Sequence, residues 1–382
     1  MKILISGICG FVGSTLARNF VESGSVEEII GVDNFSRAGS ELNRRKLIDL
    51  GVRVIAGDIR NSSDMDSLPK VDWVIDAAAN PSVLAGVDGR TSSRQLVEHN
   101  LGGTVNLLEY CRTHEAGFIL LSTSRVYSIA PLTQLKLATA ENAFQLAVDQ
   151  SLPTGLSRNG VNELFSTAPP VSLYGSTKIA SEYLALEYGN TFEFPVWINR
   201  CGVMAGAGQF GHPAQGIFAF WIHSFRENAP LKYLGFGGNG LQVRDCLHPK
   251  DLIPLLKKQM NFDSIASIAE AVDLIPRIVN VGGGVESSMS LAQLTRWCAS
   301  RFPESKTIDS FPPKMASLHS PLGTSGSETT ENRRFDIPWL VLDTSLCKST
   351  WGWNSDTKLD TILEEIAGHA ETFPNWLEIS KQ

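Results

Sequence analysis

The sequence predicts an α/β protein, a doubly wound parallel sheet with a smaller C-terminal α/β domain. Apolar runs of four to six residues alternate with longer stretches of helical period through the first 125 residues, the rhythm of buried strands joined by crossover helices. A glycine-rich turn follows the first run directly, as at the phosphate-binding end of such sheets. The chain has 382 residues, beyond the roughly 250 to 300 at which one core stops growing, so a second unit is expected.

Taken in order, the runs Lys2–Ser6, Glu28–Val32, Val52–Ala56, Trp73–Asp76 and Phe118–Ser122 are apolar enough to be strands buried on both faces. Phe11–Val21 and the long Thr91–His114 stretch, with Leu96, Val105, Leu107, Leu108 and Tyr110, have the length and period of crossover helices. After Tyr127 the pattern breaks into a polar segment, 128–170, containing Gly155, Asn159-Gly160 and Pro169-Pro170. It far exceeds the usual connection of about four to six residues and is expected to be functional. Helical period resumes over Ser172–Tyr188, and a strand is expected at Pro195–Asn199. Beyond it come short strands at Lys232–Leu234, Val243–Leu247 and Ile278–Val281, and helices near Gln215–Arg226, Asp251–Met260 and Leu291–Arg301. A second polar stretch, 311–334, rich in Ser, Thr and Pro, reads as a loop covering a site. The expected division is a sheet domain of residues 1–192 with a returning segment near 240–282, and a smaller domain of 193–239 and 283–382.

Composition narrows the function classes. The formal charge is −7, from 33 Lys and Arg against 40 Asp and Glu, with no basic run, so nucleic acid is not an expected partner. No apolar stretch reaches the 18 residues of a membrane span, and the N-terminus runs straight into a motif. The six cysteines are scattered without a C-x-x-C pair, as are the seven histidines, which predicts reduced thiols, no metal site and a cytoplasmic location.

Gly7-Ile8-Cys9-Gly10-Phe11-Val12-Gly13 sits between the first strand and the first helix, where small residues let backbone amides approach a pyrophosphate at the positive helix end. Asp33 ends the second strand, twenty residues beyond Gly13. A carboxylate there accepts ribose hydroxyls and repels a 2′-phosphate, which favours NAD over NADP, with Arg37 as the one residue that weakens the preference. Asn34 follows it; Asp58-Ile59 after the third strand could hold the adenine edge, and Ala77-Ala78-Ala79 after the fourth could leave room for cofactor. Tyr174 and Lys178 are one helical turn apart on one face, and Ser122-Thr123-Ser124 ends a sheet strand. A hydroxyl from that strand can share a substrate proton with the tyrosine, while Lys178 and an oxidised nicotinamide favour its phenolate. In Gly238–Asp245, Gln242 and Arg244 project to one side of a strand at period two, and a guanidinium there could grip a diphosphate bidentately.

Together the glycine turn, Asp33-Asn34, Gly57–Arg60, Asn100–Asn106, Ser122-Thr123, Tyr174-x-x-x-Lys178 and Arg244-Asp245 resemble the extended short-chain dehydrogenase/reductases that act on nucleotide sugars. The stretches 33–37, 199–206, 208–210 with Gln215-Gly216, and 238–248 look most like the CDP-tyvelose (CDP-paratose 2-) epimerases among them. The resemblance implies a Rossmann domain with a small substrate domain, Tyr174 as base, Lys178 as its electrostatic partner and ribose ligand, and Thr123 as partner of the substrate hydroxyl. It implies bound NAD, with Asn100, Ser122 and Arg200 added to the cofactor residues above. Ser124, Arg125, Asn199, Gln215, Gln242 and Arg244 are the implied residues for a nucleotide-diphosphosugar. The helices 91–114 and 172–188 are the implied contact of a homodimer or homotetramer. Dehydratases of this kind carry an Asp-Glu pair after the threonine, where this chain has Ser124-Arg125; an epimerase is therefore expected. A UDP-sugar 4-epimerase, a net NAD-dependent sugar reductase and a silent cofactor sensor remain the alternatives.

Overall fold

Ile3, Leu4 and Ile5 are all fully buried, although a strand sends successive side chains to opposite faces. Helices must therefore cover both faces. A computed structural model describes all residues except 88, 90, 91, 214, 263–274, 308–334 and 380–382, so the covering loop expected at 311–334 lies outside the described residues. The first half runs β1 (Lys2–Ser6), α1 (Phe11–Ser23), β2 (Glu28–Asp33), α2 (Glu41–Asp49), β3 (Arg53–Ala56), α3 (Ser62–Asp66), β4 (Trp73–Asp76), α4 (Ser93–Val97), α5 (Gly103–His114) and β5 (Gly117–Thr123). Next come α6 (Ile129–Thr133), the pairs β6 (Leu137–Ala140) with β7 (Ala143–Leu146) and β8 (Leu156–Ser157) with β9 (Gly160–Val161), then α7 (Ser172–Phe192), β10 (Val196–Cys201), β11 (Val203–Met204) and α8 (Ile217–Arg226). The rest is β12 (Val243–Leu247), α9 (Leu252–Met260), β13 (Ile278–Val281), β14 (Ser288–Ser290), the helix α10 (Leu291–Arg301), β15 (Trp339–Leu340), and the helices α11 (Ser345–Trp351), α12 (Leu359–Thr372) and α13 (Trp376–Ile379).

Seven strands form the main sheet in the order β13-β10-β5-β4-β1-β2-β3, and every neighbouring pair is parallel. Ile3 and Ile5 pack with Leu16 and Phe20 of α1 and Leu255 and Leu256 of α9 on one face. Leu4 packs with Leu107 and Leu108 of α5 and Ala185 of α7 on the other. Full burial of each such side chain stabilises by about 1.5–3 kcal/mol. The winding reverses between β1 and β4, and such a switch point opens a crevice at the strand C-ends.

The strand at 196–201, placed in the smaller domain by the sequence division, lies between β5 and β13 in this sheet. In the segment 240–282, β13 joins the sheet and α9 its helical layer, whereas β12 forms the small sheet with β11, β14 and β15. That sheet and α8, α10 and α12 share a separate core around Trp221, Ile222, Leu294 and Ile366. We therefore draw the boundary after Cys201.

Three local expectations change. Residues 232–234 form no strand, because Leu234 offers its carbonyl to the Gln242 side chain at 2.7 Å rather than to a ladder. The 91–114 stretch is two helices joined by a π-helical turn at Glu98–Gly102, which turns the Asn100 side chain to the backbone of Asn80, accepting from its N–H at 2.8 Å and donating to its carbonyl at 3.1 Å. The 128–170 segment carries two small hairpins and a core of Tyr127, Leu132, Val161 and Phe165 shared with Ile337, Val341 and Leu342. No described helix is long and apolar enough to cross a membrane.

Candidate active site

The crevice at the switch point is a cleft of about 700 Å³ that runs from the glycine turn past Thr123 and Tyr174 to Gln242 and Arg244. Gly7 has φ +64°, and a Cβ on Gly13 would stand 2.3 Å from the Gly7 carbonyl oxygen, so the turn closes only with glycine at both positions. α1 begins with Gly10 as its N-cap and no side-chain hydrogen bond there. Its first amides are left for an anion, and the cradle has the form that a dinucleotide pyrophosphate needs.

The polar groups along this floor are held by one another. Asp33 accepts from the backbone N–H of Cys9 at 2.9 Å and of Phe35 at 2.8 Å. Burial pushes its carboxyl up, and these hydrogen bonds oppose the shift. Asn34 donates to Asp58 at 3.1 Å, and the Arg60 guanidinium holds the Asp58 carboxyl far below the usual carboxylate range. Ser6 Oγ donates to Asp76 at 2.7 Å and accepts from the N–H groups of Ala77 and Ala78 at 3.0 Å each, which fixes the chain through Ala79 along the cleft. Gly7, Gly10, Phe11, Val12, Gly13, Asp33, Asn34, Asp58, Ile59 and Ala77 to Ala79 all line it.

The hydroxyls of Tyr174 and Thr123 are hydrogen-bonded. Burial pushes the Tyr174 phenol up to about 12, opposed first by the Thr123 hydrogen bond and then by the charge of Arg125. Lys178, one turn along α7, is 2% exposed. Burial lowers its pKa against the fields of Asp76 and Glu182, and its ammonium has no hydrogen-bond partner among the described residues. A bound ribose would supply such a partner.

Farther along, Ser124, Arg125, Gln215, Gln242 and Arg244 line the cleft. Arg244 donates to Asp336 at 3.1 Å and Gln242 to the same carboxylate at 3.5 Å, so the two side chains do share a side as their spacing predicts. Gln242 Oε1 is buried and unpartnered among the described residues.

Four expected residues do not line the cleft. Lys178 is buried one helical turn from Tyr174, and Asn100 braces Asn80. Asn199, expected to touch substrate, exchanges both amide hydrogen bonds with Gln259 at 2.9 Å beneath the sheet. Arg200, expected to touch cofactor, is buried against Glu182 at 2.7 Å, and that carboxylate also accepts from Ser122 Oγ. Ser122 thus borders the cleft while its hydroxyl faces away. Sequence reasoning missed Phe335 and Asp336, which close the cleft beside Arg125 and Arg244. They follow the Ser/Thr/Pro-rich stretch, where no periodicity marks them. Ser36 and Gln209, inside stretches that carry the resemblance but given no role there, also line the cleft, as does His99.

A glycine cradle at a sheet switch point, an acidic residue ending β2, and a Tyr–Lys pair on one helix face define a dinucleotide-dependent enzyme of the short-chain dehydrogenase/reductase type. Residues 3–282 match the family model of the NAD dependent epimerase/dehydratase family. The chain belongs to that family. It is 32% identical over 302 residues to the CDP-paratose 2-epimerase of Salmonella typhi, across 77% of this chain and 82% of that protein. Among solved structures it resembles the UDP-glucuronic acid 4-epimerase of Bacillus cereus in complex with UDP-glucuronic acid and NAD, with TM-score 0.68 and 21% identity over 97% of this chain and 99% of that one. The dTDP-glucose 4,6-dehydratase DesIV of Streptomyces venezuelae, a double mutant with NAD and DAU bound, gives TM-score 0.71 and 20% identity over the whole of both chains. At these identities the structural likeness speaks for the fold alone.

Proposed function

We propose that the protein is an NAD-dependent nucleotide-diphosphosugar epimerase acting at carbon 2 of a CDP-linked sugar, as the CDP-paratose 2-epimerase likeness suggests. The observation that carries the reaction type is one cleft holding the glycine cradle, the Tyr174–Thr123 hydroxyl pair and Arg244, with Ser124-Arg125 where an eliminating enzyme would need an acid and a base. The glycine turn, Asp33 and Lys178 would hold NAD, which supplies the hydride acceptor and donor at the sugar carbon. Tyr174 Oη takes the proton of the sugar hydroxyl as that carbon is oxidised and returns one when it is reduced on the opposite face. A phenol held near 12 by burial is a base at neutral pH only beside positive charge; the charge of Arg125 already lowers it, and Lys178 with a bound oxidised nicotinamide would add to that. Thr123 keeps the hydroxyl in line, and Arg244 with Gln242 anchors the diphosphate while the keto sugar turns over.

We place the enzyme in the cytoplasm as a homodimer. Val97, Leu173, Tyr183 and Phe192 are each at least 38% exposed on α4 and α7, an apolar surface suited to a two-fold contact. The function is tested by incubating the protein with CDP-, UDP- and dTDP-linked sugars and following epimers by NMR. Inversion at carbon 2 of a CDP-sugar is expected; inversion at carbon 4 of a UDP-sugar would move the assignment to the 4-epimerases, and accumulation of a reduced sugar at the expense of NADH would make it a reductase.

A further inference from the structure

Arg37 sits on the loop after β2, and Gln209 and Phe210 on the chain after β11, and all three line one cleft. The two segments are joined, because Arg37 Nη2 donates to the carbonyl of Phe210. Arg37 forms no ion pair among the described residues, so this carbonyl is the main hold on its guanidinium. Phe210 is in turn stacked on Trp376 of α13, with ring centroids 5.4 Å apart and planes at 14°, and Trp376 Nε1 donates to the Gln209 carbonyl at 3.0 Å. There is no slack beneath: a Cβ on Gly39 would lie 2.6 Å from both the Phe210 ring and Ile379. The chain after Arg37 is tied to the glycine turn by Asn43, which donates to the Cys9 carbonyl at 2.9 Å. Ser40 Oγ and Gln209 Oε1 at this end are buried without a hydrogen-bond partner among the described residues, and both residues line the cleft. Polar atoms left so are costly unless a ligand or water meets them.

We propose that Arg37, Phe210 and Trp376 form a clasp that retains the dinucleotide from one turnover to the next. The inference rests on the reading that the cleft holds NAD. Segments around positions 37, 210 and 376 converge beside Asp33 and Asn34, the end assigned to the adenosine ribose, and a dinucleotide laid along the cleft leaves when the Arg37–Phe210 contact opens. An epimerase regenerates its oxidised cofactor in every cycle, so a closed clasp costs it no turnover. The same contact explains how an arginine near the ribose is compatible with NAD, since its guanidinium is turned to a carbonyl rather than to a 2′-phosphate site.

The test loads purified protein with NAD, removes free cofactor by gel filtration, and follows release with excess lactate dehydrogenase and lactate through NADH absorbance. Arg37→Met should release NAD about tenfold faster than wild type, the factor expected for one charge-assisted hydrogen bond. Arg37→Lys should fall between them, and Trp376→Leu should also release faster. Should the tryptophan variant not fold, Arg37→Met carries the test alone, because its side chain is partly exposed. Wild-type retention with unchanged release from Arg37→Met overturns the clasp and leaves the proposed function standing. Wild-type protein that binds no NAD overturns both.

Discussion

Tyr174 shows how a residue's environment sets its chemistry. Burial alone makes it a weaker acid, with its phenol near 12, so its basicity depends on charge brought to it. Tyr174→Phe should fold and keep NAD yet lose turnover by at least about a hundredfold, the scale of positioned acid–base catalysis; steady-state rates and cofactor content check this together. Asp245 is a second buried titratable group. It receives backbone amides from Gly283, Gly284 and Leu342, yet burial dominates and its carboxyl is pushed up to about 7, and Oδ2 has no partner among the described residues. A folded-state pKa raised above the unfolded 3.8 gives stability that is present below about pH 4 and lost as pH rises through 7. Asp245→Asn should flatten the fall in melting temperature between pH 5 and pH 8. The positions of the glycine turn, Asp33, Tyr174 and Lys178 were legible, because their spacing fixes which strand end or helix face carries them. Asn199 and Arg200 were not, because strand alternation sends one side chain to α9 and the next to α7, one and two residues before the strand end where Cys201 and Gly202 reach the cleft.

At the scale of elements, the parallel strands through β5 were readable from apolar runs, since burial on both faces leaves a continuous hydrophobic signature. The 128–170 segment was not, because its strands are two to four residues long and its partners are far away in sequence. Val161 pairs with Leu342, and Glu163 accepts the N–H of Asn280 at 2.6 Å on β13, the edge strand of the sheet. The insertion thus covers an edge that would otherwise present unpaired backbone groups. Asp336 was unreadable for a similar reason: its importance lies in Arg244, across the small sheet from it in sequence. Arg244→Ala should raise KM for the nucleotide sugar at least about tenfold with NAD content unchanged. Arg244→Lys should recover part of the loss, because an ammonium is a point charge where two phosphates present parallel acceptors. An unaltered KM would assign the anchor elsewhere.

For the whole molecule, two units share one cleft, with the sheet domain supplying the glycine cradle and Tyr174, and the smaller unit supplying Gln215 and Arg244. Light scattering at micromolar concentration should give twice the mass of the chain, and Tyr183→Glu should shift it toward the monomer if α7 is the contact. The central claim is that one hydride leaves the sugar and returns to the same carbon on its other face. A CDP-sugar deuterated at carbon 2, mixed with unlabelled substrate and turned over in ordinary water, tests it most directly. The epimer should keep its deuterium in full at that carbon without exchange between molecules; loss of deuterium to solvent would show epimerisation by proton abstraction from carbon and contradict the account.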